Sequence, residues 1–143
     1  METCKPVSTP LDEDFKVIHG AGKKANKCRH QTLIGELMYL AVSNRPDIIH
    51  SVSKLSQVNA EPEVEHKKAA KHILRYLSKT IDLKLHYKSD GGDAHGYVDA
   101  NWGSNPIDRK SYSRYVFKLR GSPISWESKK QGVTALSTTK AVI

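Results

Sequence analysis

The chain is short of the features that mark secreted and membrane proteins. Only two of its 143 residues are cysteine, Cys4 and Cys28, too far apart in sequence to form a disulfide framework. Cys28 and His30, with His19 nearby, lack the paired spacing that zinc sites use. The chain has no apolar segment at its start and no run of about 18 apolar residues, so neither a leader nor a membrane span is expected. These absences point to an intracellular protein, in the cytoplasm or nucleus, with reduced thiols and no membrane partner. Apolar residues are sparse at 38% and mean hydropathy is −0.55. That is lean for a well-filled core but too rich for a disordered chain. Acidic residues are the other shortage. Fifteen Asp and Glu against 23 Lys and Arg leave a net charge of +8, which suits a polyanionic partner.

What is present divides near residue 91. The first 27 residues carry little pattern and read as an extended arm and loop. From Gln31, the residues Leu33, Ile34, Leu37, Met38 and Ala41 recur at helical spacing, and Ser43-Asn44-Arg45-Pro46 stops the run. Pro46 suits the first turn of a second helix, where its missing N–H costs nothing. Ile48, Ile49, Val52 and Leu55 give that helix an apolar face. A third helix is expected over 63–79, with Ala70, Ile73, Leu74 and Leu77 facing inward and Lys68, Lys71, Arg75 and Lys79 on the far side. Residues 66–88 hold seven Lys or Arg against one Asp. Such a stripe is either a solvated helix face or a surface that tracks phosphates.

After Asp90-Gly91-Gly92-Asp93 the period changes from helical to extended. Residues 95–102, 113–119 and 122–128 each hold β-branched or aromatic residues between turn signals, which predicts a three-stranded antiparallel meander. Residues 134–143 read as a loop entering a further helix. The expected fold is therefore α+β, with a helical region over 1–90 and a strand region over 91–143.

Seven segments in this order resemble copia-type retrotransposon Pol polyproteins: "CKPVSTPL", "LIGELMYLAVSNRPDIIHSVSKLS", "EHKKAAKHILRYLSKTIDLKLHY", "GYVDANW", "DRKSYSRYVFKL", "ISWESKKQ" and "ALSTTKA". The resemblance implies that 1–90 is similar to the thumb and connection region of a reverse transcriptase. It also implies that 91–143 is the incomplete N-terminal part of a ribonuclease H-like domain. Intact members of the family cut the RNA strand of an RNA–DNA hybrid with two Mg2+ ions held by four carboxylates. Asp99 matches the first-strand aspartate of that set, as catalytic residue and metal ligand. The family's motif "ALSSTEAEY" carries the second ligand in its later glutamate. Val142 stands at that position here, and Lys140 replaces the neighbouring glutamate. The remaining two carboxylates would lie after Ile143, so one ligand of four is expected. Arg114 stands where the family has Gly, and Asn101 where it has Asp.

The resemblance so corrected implies a catalytically inactive Pol fragment that needs no cofactor. Non-specific binding of RNA–DNA hybrid, DNA or RNA is then expected through Lys68, Lys71, Arg75, Lys79, Arg109, Lys110, Lys129 and Lys130. Residues 108–130 hold seven Lys or Arg against two acids, with Trp102, Tyr112, Tyr115 and Trp126 interleaved, a workable surface for a single strand or hybrid. The alternative for the tryptophans is a place in the sheet's core. Other readings are a remnant without function, or a ribonuclease completed by another chain. An incomplete sheet would also offer an open edge for self-association. Tyr97-Val98-Asp99-Ala100 is not a polymerase box, because Ala100 replaces the second of two adjacent carboxylates.

Overall fold

Asn26 caps the first helix, which begins at Lys27, four residues earlier than apolar spacing predicts. Its side-chain oxygen accepts from the Arg29 amide at 2.9 Å, capping a helix whose first turn is polar and so carries no periodic signal. In this computed structural model residues 4–12, 14–17, 20, 22–89, 92–101, 110–134 and 137 are described. The chain divides into two compact units, Met1–Leu83 and Lys84–Ile143.

The first unit is helical: α1 (Lys27–Ser43), a 3-10 turn (Pro46–Ile48), α2 (Ile49–Ser56) and α3 (Val64–Lys79). Ile34, Leu37 and Ala41 from α1 meet Ile48, Val52 and Leu55 from the turn and α2, and Ala70 and Ile73 from α3. All eight are at most 2% exposed. Leu74 and Leu77 are only partly buried, while Ala69 and His66 take places in the interior. The arm before residue 27 does more than connect. Leu11 and Phe15 pack against the same core, the Lys54 ammonium donates to the Phe15 carbonyl, and His72 meets the Thr9 carbonyl.

Polar contacts close this unit. Arg45 makes two bonds to Asp47, at 2.9 and 2.7 Å, and donates to the carbonyl and hydroxyl of Thr80 at the end of α3. The Tyr76 hydroxyl completes the network on Asp47 at 2.9 Å. Burial alone would raise the Asp47 carboxyl, but the hydrogen bonds from Arg45 and Tyr76 outweigh it and hold the group below its ordinary range. At the other end of α3, Glu63 forms a reciprocal capping box with His66. Its carboxylate also accepts from the Gly20 amide at 2.7 Å. Gly22 leaves room for that carboxylate, since a Cβ there would collide with it.

The second unit is an antiparallel meander of order β1-β2-β3: β1 (His95–Asn101), β2 (Tyr112–Leu119) and β3 (Ser122–Lys130). With the helical unit it makes an α+β chain, as the periodicity predicts. Arg120 and Gly121, both at positive φ, form the two-residue turn between β2 and β3. Two left-handed residues match the twist of the strands, and glycine takes that conformation without strain. The register slips between Phe117 and Lys118, placing Ile124 in a bulge. The unit begins before the composition break at residue 91. The Ser122 hydroxyl bonds to the His86 carbonyl, and the Tyr87 hydroxyl reaches the Pro123 carbonyl at 2.7 Å. The helix expected within 134–143 lies outside the described residues, apart from 134 and 137.

Candidate nucleic-acid interface and metal-ligand remnant

Strand pairing decides what Asp99 can do. In the β1–β2 register Asp99 faces Arg114, and the Arg114 guanidinium meets the Asp99 carboxylate at 3.1 Å. On β3 the residue opposite Arg114 is Ser128. Side chains alternate between sheet faces, so Glu127 lies on the face away from Asp99. Among the described residues no group of three or more His, Cys, Asp and Glu side chains is placed to hold a metal ion. Magnesium requires several oxygen ligands in near-octahedral geometry. The described residues around Asp99 do not fit it, because no further acidic or imidazole ligands join Asp99 there and its carboxylate faces the Arg114 guanidinium. Val142 and Lys140 lie outside the described residues.

The expected phosphate contacts separate into several settings. Lys68, Lys71, Arg75 and Lys79 share the outward side of α3, as the spacing predicts, but they are not equivalent. Lys68 is held by Glu65 at 2.6 Å, and the Arg75 Nε donates to the Lys5 carbonyl at 2.6 Å. Lys71 and Lys79 are exposed, with no partner among the described residues. In the second unit Lys129 and Lys130 alternate to opposite faces of β3, so they do not line one face together. Lys110 precedes β2 and is half-buried, and Arg109 lies outside the described residues. Trp126 is half-buried in a cross-strand row with Val116 and Tyr97. Tyr115 leans on Phe117 at 5.4 Å, and Tyr112 is buried. Trp102 lies outside the described residues. Among those described, the aromatics form sheet contacts rather than a continuous stacking row.

Sequence reasoning passed over the buried histidines. His30 is 1% exposed, and among the described residues neither ring nitrogen makes a hydrogen bond of good geometry, although the Leu55 backbone lies close enough to act on the ring. Burial pushes its pKa down, the neighbouring His66 adds to the effect, and the Leu55 backbone offsets part of it. The helical spacing of His30 with Ile34, Leu37 and Ala41 was the available signal. Among the described residues no helix is long and apolar enough to cross a membrane.

No protein-family model matches the chain, and no solved structure matches it. Similarity to known sequences is extensive. The chain is 39% identical to the retrovirus-related Pol polyprotein from transposon TNT 1-94 of Nicotiana tabacum, over 99% of this chain and 11% of that protein. The corresponding polyprotein from transposon RE2 of Arabidopsis thaliana is 37% identical over 99% of this chain and 10% of its own length. The chain thus spans about a tenth of the length of these curated relatives. The secreted RxLR effector protein 161 of Plasmopara viticola is 43% identical over 75% of this chain and 76% of that protein. Seven motifs in family order and a match along nearly the whole chain establish that it belongs to the copia-type retrotransposon Pol family.

Proposed function

We propose that this Pol-derived chain has lost ribonuclease H chemistry and acts by holding nucleic acid through sequence-independent phosphate contacts. The observation that carries the first half is the Asp99–Arg114 ion pair at 3.1 Å. A guanidinium on Asp99 competes with a divalent cation, and valine at position 142 cannot ligate one. The second half rests on the +8 charge and the exposed basic side of α3. No base-reading motif accompanies that charge, so discrimination between sequences is below about tenfold. The effector protein supports reading the segment as a unit, since the matching stretch makes up most of that polypeptide.

The deciding experiment incubates purified protein with a labelled RNA–DNA hybrid and Mg2+ or Mn2+, and measures binding in parallel over a salt series. No cleavage is expected. For about five phosphate contacts, log K should fall against log salt with a slope of roughly −4 to −5 on duplex DNA. Cleavage that disappears in Asp99→Asn would overturn the inactive reading. Absence of binding at low salt would leave a silent remnant. The same reading includes self-association through the outer edge of β1, which pairs with no strand among the described residues. Sedimentation should show concentration-dependent association that Val98→Lys suppresses.

A further inference from the structure

The start of α3 lies beside the start of α1. The Ala25 amide donates to the Pro62 carbonyl at 2.8 Å, and the Val64 amide donates to the Lys23 carbonyl at 2.9 Å. These bonds flank an isolated antiparallel bridge between Lys24 and Glu63 and set two backbone walls side by side. Beside this bridge is a half-open cleft of about 430 Å³, lined by Ala25 and Val64 with Lys24, Lys67, Lys68 and Lys71 around it. Lys67 was absent from the stripe expected on α3, and Lys24 comes from a loop 40 or more residues away in sequence. Only the fold brings them together.

Charge in this cleft is unbalanced. Among the described residues, of the four ammonium groups only Lys68 has a carboxylate partner, Glu65. Lys24, Lys67 and Lys71 have none among the described residues. The neighbouring Glu63 is 8% exposed, with its carboxylate committed to backbone donors at the helix start and at Gly20. Counting both glutamates against the four lysines leaves about two positive charges around a half-open surface cleft, where one anion can meet several donors. A phosphodiester within a strand carries one negative charge. A phosphomonoester carries about two at neutral pH and offers three acceptor oxygens to several donors.

The geometry points to a binding site for a phosphomonoester dianion, namely the terminal phosphate of a nucleic-acid strand. This rests on the nucleic-acid reading above and sharpens it. The cleft holds the phosphorylated end, while Lys79, further along the outward side of α3, accompanies the strand that follows. Arg75, whose Nε is already engaged by Lys5, is not needed for the end. The site performs no chemistry; it adds an end preference to otherwise indiscriminate binding.

The test uses the full chain and a single-stranded oligonucleotide carrying either a 5′-phosphate or a 5′-hydroxyl, with a 3′-phosphorylated version alongside. A phosphorylated end should bind about tenfold more tightly than the unphosphorylated strand at moderate salt, as expected for two or three added charge-assisted hydrogen bonds weakened by solvent. In Lys24→Gln/Lys67→Gln/Lys71→Gln that preference should vanish. Lys5→Gln/Lys16→Gln/Lys84→Gln, with the same loss of charge, should retain it. Circular dichroism checks that both variants fold. Equal affinity for phosphorylated and unphosphorylated strands overturns the cleft and leaves general binding intact. If no strand binds, the nucleic-acid reading fails by itself, and titration of 15N-labelled protein with inorganic phosphate decides the cleft. Saturable shifts confined to the amides of residues 24–26 and 64–71 would keep it as a site for free phosphate. Their absence would remove it.

Discussion

The two units spend their apolar residues differently. Among the described residues, ten of the eleven buried hydrophobic side chains belong to the helical unit, and Tyr112 alone represents the strand unit. In the sheet, Tyr97 and Val98 are 61% and 60% exposed, and Phe117, Leu119 and Ile124 also face solvent. Three amphipathic helices can bury one another's apolar stripes within a short chain. A three-stranded meander buries little until another layer covers it. The comparison teaches that regular secondary structure and a stable interior are separate achievements. The helical unit has both, while the strand unit has well-paired strands and a small described core.

The contrast should break most visibly in the interior. Leu37→Ala should cost the helical unit about 2–5 kcal/mol, because Leu37 is 1% exposed and surrounded by α2 and α3 contacts. Val98→Ala should cost less than about 0.5 kcal/mol. Urea unfolding of the two variants, followed by helical circular dichroism and by tryptophan fluorescence, compares the units directly. Similar losses would mean that the sheet is covered in solution.

Next comes Asp47→Ala. It strips the largely buried Arg45 of its two-bond partner and leaves an uncompensated cation, at a cost of about 2–4 kcal/mol. Hydrogen exchange at the Thr80 amide should accelerate, since Arg45 is held between Asp47 and Thr80. An effect below about 0.5 kcal/mol would class the network with exposed pairs.

The helical unit should also be the pH-sensitive one. The folded His30 pKa lies below the ordinary value of 6.5. As pH falls below that value the unfolded chain takes up the proton first, so the folded state loses stability, by at most about 1.4 kcal/mol per pH unit. The loss stops once pH passes the depressed folded pKa. Urea midpoints at pH 7.5, 6.5 and 5.5 should decline, and His30→Leu should flatten the decline. A profile already flat in the parent chain would mean that His30 stays accessible to protons in the fold.

The smallest effect belongs to the sheet's ion pair. Asp99 and Arg114 are 67% and 37% exposed at their side chains, so Arg114→Ala should change stability by less than about 1 kcal/mol. A larger loss would show that the pair is buried by something beyond the described sheet.

Much of the fold was legible because its signals are local. Ile34, Leu37 and Ala41 mark α1, and Ile73 between the lysines marks α3, since periodicity reports a helix face directly. The start of α1 was missed because a polar first turn capped by Asn26 carries no apolar rhythm. The inward turn of His30 was missed because a histidine at a core spacing reads equally as a surface residue. The basic stripe was visible as charge, but its division was not: Lys68 answers to Glu65, Arg75 to the arm, and Lys71 to a cleft.

By itself the sequence determined the succession of helices and strands and the excess of positive charge. Each is a property of neighbouring residues or of composition. Only the tertiary structure decided that Asp99 meets Arg114, that Lys24 joins Lys67 around one cleft, and that Arg45 ties Asp47 to the end of α3. Those contacts depend on strand register and helix packing, which are set by which surfaces bury best against each other.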